Sequence, residues 1–254
     1  EDQGRQAVSV AEDVHVGHDA AESTVCVFMD DRTGGSMDYR TKRIDKQTAK
    51  AVIEAMHYRK TLGVFWEAFG LYEDNKLMGV VCYGQPSAPI QKHAFANRDF
   101  RLYELTRLVI DGGNKNCASM LIADSLKLLN EQPSAVISYA DSALGHVGIV
   151  YQASNWLYTG ATTSHDKLYM VDGKALHPMT LRDQFGVTNP TVWAKENNIA
   201  TVKPSPKHRY FYLNGNKKQR KHMLSKLAYP LVAQYPKAPK TYYTVVGGCS
   251  DAIA

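Results

Sequence analysis

After residue 36 the apolar positions switch repeatedly between a helical and a strand period, and that switching predicts the architecture. Lys46 to Tyr58 has helical spacing, with Ala51, Ile53, Ala55 and Met56 on its apolar side. Phe65 to Tyr72 and Lys76 to Tyr83 are apolar, aromatic runs of strand length, and Glu73-Asp74-Asn75 between them is a hairpin turn. Leu102 to Ile110 is another strand, broken by Asp111-Gly112-Gly113-Asn114. Cys117 to Asn130 follows as an amphipathic helix with Leu121, Ile122, Leu126 and Leu129 on one side. Ala135 to Ala140 is a short buried-type strand, His146 to Ser154 a helix, and Trp156 to Tyr158 a strand start. Lys167 to Val171 and Arg209 to Leu213 are further strands, and Lys217 to Leu227 is a basic helix closed by Tyr229-Pro230. No internal repeat is visible. Early strands followed by strand–loop–helix–strand–helix–strand predict an α/β fold, a mixed central sheet covered by helices.

Residues 1–36 break that pattern. They are acidic, poor in large apolar residues and end in Gly34-Gly35-Ser36, a linker-like run. They are expected to be a leader, a tag or a disordered arm, although Val25 to Met29 (VCVFM) is long enough for one short strand. The single domain is then expected over 37–254. The 254 residues suffice for a sizeable core. No window approaches the ~20 consecutive apolar residues of a membrane span. The opening EDQGRQAVSV is not the pattern of a signal peptide. Cys26, Cys82, Cys117 and Cys249 are far apart, with no CxxC pair, so free thiols are expected.

Charge is unevenly divided. Residues 1–36 hold eight acids against two bases, so residues 37–254 carry a net +11 within an overall +5. The stretch 203–240 contains ten Lys or Arg and no acid. One-signed basic segments attract polyanions by releasing condensed counterions, although a solvated basic face would look the same. Within it Lys217, Lys218, Arg220 and Lys221 are the candidate DNA contacts.

The chemistry centres on Tyr103 to Leu129, a strand, a Gly/Asn-rich turn and a helix start. That arrangement aims unsatisfied backbone N–H groups at whatever sits in the turn, which favours a phosphate or pyrophosphate. Asn116 and Ser119 are placed to cap the helix and bond the same anion. The string is neither a P-loop nor GxGxxG. Asp141 ends an apolar strand, at the edge where open α/β sheets hold ligands, and suits proton transfer or a metal; it equally suits a cap for Ser142 to Gly145. Tyr151 offers a phenol with a pKa near ~10 that could protonate a leaving group, or a core aromatic. His57 is a candidate metal ligand, or a cap.

The strand Glu104-Leu105, Arg107-Leu108 and Ile110, followed by its turn and helix, resembles the acetyl-coenzyme A site of the GNAT acyltransferases. It departs from their loop pattern, having GGNKNCAS instead. A longer ordered set resembles the Mom DNA-modification family of Mu-like phages. The set comprises His57-Tyr58, FGLYEDNKLMGVVCYGQP, the Arg-Leu-Val strand, the Asn-x-x-Ser helix start, SYADSALGHVGIVYQASNWLYTG (Ser138 to Gly160) and KHRYFYLNG with its basic helix. That resemblance implies a GNAT-like sheet with a basic C-terminal extension. It implies transfer of an acetyl-coenzyme A-derived, carbamoylmethyl-type group to the exocyclic amine of adenine in phage DNA, in the host cytoplasm, shielding the genome from restriction; iron is also implied.

Carried over by the resemblance, the family's functional residues fall on Arg107, Ser119, Asp141, Tyr151 and His57, with Glu104 a second base by analogy with other acyltransferases. The cofactor is expected along Arg107, Leu108, Val109 and Ile110 with its pyrophosphate over Gly112, Gly113, Asn116 and Ser119. His57 and Asp141 are the candidate iron ligands. An adenine paired in a duplex must be flipped out, and Trp66, Trp156, Tyr158, Tyr210 and Tyr212 are candidates to stack it. Two other readings stay open: an acyltransferase acting on another amine, and a DNA-binding protein without catalysis.

Overall fold

The computed structural model describes residues 24–29, 36–112, 115–163 and 167–237. Its centre is an eight-stranded sheet in the order β1-β2-β3-β4-β5-β6-β11-β7. These strands are β1 (Thr24–Met29), β2 (Ser36–Ile44), β3 (Glu67–Glu73), β4 (Lys76–Gly84), β5 (Arg101–Ile110), β6 (Ser134–Asp141), β7 (Leu157–Ala161) and β11 (Lys207–Asn214). Helices α1 (Lys46–Met56), α2 (Ala88–His93), α3 (Cys117–Leu128), α4 (Ile149–Ala153) and α7 (Lys217–Lys226) cover it. A separate three-stranded sheet, β10-β8-β9, lies in the segment between β7 and β11. It comprises β8 (Leu168–Val171), β9 (Lys174–Leu176) and β10 (Thr201–Val202), with helices α5 (Pro178–Phe185) and α6 (Pro190–Glu196). The expected mixed sheet under helices is therefore present.

Side-chain alternation assigns the helices to faces. Val81, Tyr83, Leu105, Leu108 and Val136 pack with Leu121, Ile122 and Leu126 of α3 and Tyr151 of α4. On the other face Val80, Cys82 and Val109 pack with Ala49 and Ile53 of α1. Leu102, Ala135, Ile137 and Phe211 pack there with Phe95 and with Met223 of α7.

All strand pairs of the large sheet are antiparallel except β5–β6. That parallel pairing is short. It runs from Arg101↔Ser134 to Glu104↔Ile137 and stops, although β5 continues to Ile110 and β6 to Asp141. The two strands stay laddered on their outer sides, β5 to β4 through Ile110 and β6 to β11 through Lys207↔Asp141. A wedge thus opens between β5 and β6 toward their C-terminal ends. Thr106 is the extra residue of a bulge opposite Cys82 and Tyr83, which turns β5 as it leaves its neighbour.

Several boundaries depart from the periodicity. The first helix ends at Met56, because His57 takes an extended backbone and becomes its C-cap. The helix expected from His146 begins only at Ile149, because Gly148 holds the left-handed conformation at φ 73°. β1 forms where VCVFM allowed a strand. Cys82 and Cys117 are buried and form no disulfide among the described residues. Among the described residues no helix is long and apolar enough to cross a membrane.

Candidate active site in the β5–β6 wedge

The wedge closes at its apex through side chains. The Leu105 carbonyl lies 3.0 Å from the Ser138 hydroxyl, which lies 2.8 Å from the Tyr151 hydroxyl. Ser138 is the donor, and its single proton is shared between the Leu105 carbonyl and the Tyr151 oxygen, both of which accept. Ser138 shares the α3/α4 face with Val136, whereas Glu104 shares the α1/α7 face with Leu102. A phenol and a carboxyl therefore meet the split from opposite faces of the sheet.

Electrostatics single out Glu104. Burial pushes its carboxyl up to about 7, against the opposing pull of the Lys207 and Arg107 cations. A carboxyl half-ionised near neutrality suits general base catalysis. Burial also raises the buried Tyr151 hydroxyl well above the ordinary phenol range, so it stays protonated as a donor. His57 is buried, and its ring stacks on Tyr58 at 4.4 Å. Burial first, then the charges of Arg107, Arg59 and His146, hold its imidazole down to about 4, so it is neutral at pH 7. His146, edge-on to Tyr58 at 6.4 Å, is lowered by burial, with Asp141 opposing. Its buried Nδ1 has no hydrogen-bond partner among the described residues.

Asp141 is a cap more than a free carboxylate. Its Oδ1 accepts from the Ala143 N–H at 3.0 Å and the Ser205 hydroxyl at 3.2 Å, and its Oδ2 lies 3.9 Å from the Lys207 ammonium. The Arg107 guanidinium is committed to the loop after α1, donating to the Thr61 carbonyl at 2.7 Å and its hydroxyl at 3.2 Å. Sequence reasoning thus finds Glu104, Asp141, Arg107, Tyr151 and His57, whose charges and contacts interlock. It does not single out Tyr58, Arg59, Ser138, His146 or Lys207; of these Tyr58, Ser138 and Lys207 begin or end segments noted for their resemblance.

An iron site does not fit these residues. Among the described residues no three His, Cys, Asp or Glu side chains converge. The His57 Nδ1 already accepts from the Arg59 N–H at 3.1 Å, both Asp141 oxygens are engaged, and Arg59 and Arg107 bring positive charge beside His57. No chemical step is routed through a metal.

The cofactor residues fit an acyl-coenzyme A better. Beyond Glu104 no strand of the described residues lies against the β6-facing edge of β5, which leaves main chain to pair with a pantetheine arm. Leu108 and Val109 are buried, Ile110 half-buried, and Gly112 turns the chain at φ 77°. Asn116 begins α3 but makes no side-chain cap bond, because its backbone is helical rather than extended, and the Ser119 hydroxyl bonds back to its carbonyl at 3.0 Å. A cleft of about 480 Å³ runs from Asn116 and Ser119 along α3 to Ala153–Asn155 after α4. Gly113 lies outside the described residues.

The basic quartet Lys217, Lys218, Arg220 and Lys221 lies on α7, with Lys217, Lys218 and Lys221 among its exposed side chains. It begins near Asn214, which pairs with Ser134 at the start of β6, roughly 23 Å along the strand from Asp141. Yet α7 covers the face that carries Glu104, and Lys207 and Arg209 share that face with Phe211. Of the aromatic candidates, Trp156 and Tyr210 are fully buried and Tyr158 nearly so, because they pack the core beside Tyr151. They are not free to stack a base. Trp66 lies under the Arg101 guanidinium at 3.9 Å, and Tyr212 packs on Trp156.

The chain is similar to three kinds of known protein or family. The ribosomal-protein-S5-alanine acetyltransferase of Vibrio fischeri superposes with a TM-score of 0.38 at 10% identity, covering 75% of this chain and 98% of that one. The methylcarbamoylase Mom of Escherichia phage Mu is 31% identical over 212 residues, 80% of this chain and 86% of that protein. The sequence model of the Mom protein family matches residues 38–237, which span both lips of the wedge, α3 and α7. The chain belongs to the Mom protein family.

Proposed function

We propose that this protein is a DNA-modifying transferase that moves an acetyl-coenzyme A-derived, carbamoylmethyl-type group onto the exocyclic amine of an adenine flipped from duplex DNA, and so protects that DNA from restriction. The observation that carries the reading is the β5–β6 split, with Glu104 at its apex and its carboxyl pushed up by burial to about 7. Acetyl-coenzyme A would be held along Leu108 to Ile110 and the start of α3. Ionised Glu104 is placed to accept a proton from the adenine amine. On the opposite face the Tyr151 hydroxyl, which burial keeps protonated, lies at the apex beside Ser138 and supports a proton donor there. The phage Mu relative is a methylcarbamoylase, which supports the transfer class. Nucleoside mass spectrometry of DNA from cells expressing the protein tests the reading. A carbamoylmethyl-adenosine is the expected product, and unmodified adenosine would overturn it.

DNA is proposed to lie on the Glu104 face, because α7 and Lys207 bring cations to that side of the sheet. Changing Lys217, Lys218, Arg220 and Lys221 to Glu is expected to weaken binding to all sequences alike. The slope of log affinity against log salt should fall by roughly one for each phosphate that is no longer neutralised. None of these side chains is buried, so the fold should be unaffected. An unchanged slope in salt-titrated binding assays would remove α7 from the DNA surface.

A further inference from the structure

Between β7 and β11 the chain leaves the large sheet and builds a second unit with its own core of Tyr169, Leu181, Val187 and Ala194. Its two ends meet at one stem. The Thr162 N–H donates to the Lys207 carbonyl at 2.8 Å, and the Lys207 N–H to the Thr162 hydroxyl at 2.9 Å. Lys207 pairs with Asp141, so the unit springs from the open end of the wedge.

Within it, α5 stops at Gly186, whose φ of 66° is the left-handed form that glycine adopts freely. The Gly186 N–H returns to the Arg182 carbonyl at 3.0 Å and the Val187 N–H to the Leu181 carbonyl at 3.3 Å. Buried Leu181 and Val187 sit at the ends of that second bond, the hydrophobic contact that closes such a helix end. Asn189 then starts α6, its side chain accepting from the Val192 N–H at 3.2 Å. Two helices joined by a four-residue, glycine-containing turn, 186–189, form a helix-turn-helix.

The outward surface of this pair is unusual for a satellite unit. Met179, Phe185 and Val192 are 56%, 51% and 48% exposed. Lys167, Lys174, Arg182, Lys195 and Lys203 are exposed cations, against Asp172, Asp183 and Glu196. Neither helix has an acid in its first turn. On α6 the exposed side chains Val192 and Lys195 offer methyl groups for a thymine methyl and a donor for guanine, while the Thr191 hydroxyl, 3.3 Å from the Tyr169 hydroxyl, ties the helix to its own core. Seven residues make a rod about 10 Å long, which the ~12 Å major groove admits.

We infer that α5–α6 is a sequence-reading element that sets α6 into the major groove of duplex DNA beside the base to be modified. The inference rests on the DNA-modification reading and adds a source of site preference to it. Its stem at Asp141 and Lys207 tethers the reading helix to the mouth of the active site.

The test compares the wild-type protein with a double variant, Val192→Ser and Lys195→Gln. Both side chains are exposed, and thermal melting checks that the fold is kept. Selection from a random duplex library should enrich a short motif with the wild-type protein. The variant should lose that motif and bind the selected duplex at least tenfold more weakly. Its affinity for unrelated duplex and its modification of single-stranded oligonucleotides should hold. A variant that keeps both motif and affinity overturns the inference. So does a wild-type protein that modifies DNA without any preference, or a variant whose binding falls equally on every duplex. Failure of the DNA reading itself looks different: the wild-type protein would neither bind duplex nor modify any base.

Discussion

Glu104→Gln is expected to lower the rate of group transfer by at least about 100-fold, the usual scale for losing a general base, with DNA binding unchanged. The base form is the carboxylate, and burial holds the group to about 7. Wild-type activity should therefore be low at pH 5, rise through about 7 and level off above it, and the residual activity of the variant should lack that inflection. The same substitution has a second, opposite readout. The ordinary value for this carboxyl is 4.5. Below it Glu104 is protonated in both folded and unfolded chains and contributes no pH dependence. Between 4.5 and about 7 the unfolded chain releases the proton first, so stability falls as pH rises; above about 7 the deficit is constant. Gln carries no such deficit. At pH 8 the variant should be more stable by about 2 kcal/mol, from ~1.4 kcal/mol per pKa unit reduced for partial exposure, and the gap should close at pH 4. Urea melts across that range with single-turnover rates check both halves. A variant that is inactive but shows no gain at pH 8 would place the carboxyl in structure rather than in proton transfer.

Gly148→Ala is expected to destabilise the fold by about 3–5 kcal/mol, combining left-handed strain with overpacking. Gly148 holds φ 73°, and a Cβ there would stand 2.5 Å from Cε2 of the Tyr210 ring and 3.0 Å from Cδ2 of Tyr151. Neither ring can retreat. Tyr210 is fully buried and donates its hydroxyl to the Val147 carbonyl at 2.5 Å, and Tyr151 is packed between Trp156 and Tyr210. The strain falls directly on the Tyr151–Ser138 pair, so activity should drop even below the unfolding transition. Thermal melting and transfer rate, measured at one temperature below both midpoints, separate the two effects. A melting temperature within a degree of wild type would mean that the segment 145–151 yields where its contacts say it cannot.

The strands and helices readable in the sequence are mostly those whose buried side is apolar. β3, β4, β5, β6, α3 and α7 lie within two residues of their expected runs. β2 is hidden from such a reading because its inward side alternates through Tyr39, Thr41 and Arg43, and two of those are polar by type. Arg43 is accommodated by an ion pair with buried Glu67 and by the Leu128 carbonyl at 2.8 Å, partners that no local window contains. α5 and α6 escape the periodicity although Pro178 and Pro190 follow capping residues His177 and Asn189, a helix-start signal stronger than their short apolar pattern. At the site, residue types and order point to Glu104, Asp141 and Tyr151. Which of them is ionised depends on burial between strands far apart in the chain, and that is not a property of spacing.

The short seam between β5 and β6 also bears on how the chain assembles. Strands β1 to β5 pair with their sequence neighbours, so they can zip up as a meander of local hairpins. β6 grips β5 through only Arg101–Glu104, and its full-length partner β11 arrives 66 residues after Asp141, beyond the whole helix-turn-helix unit. Closing that loop precedes any reward from the β6–β11 ladder, so the second lip of the wedge is the last part of the sheet to form. Until then β6 presents a bare edge of Ala135, Val136 and Ile137, the segment on which a nascent chain would stick to its neighbours. Slow synthesis or low temperature should therefore favour soluble yield more than any change to the finished surface.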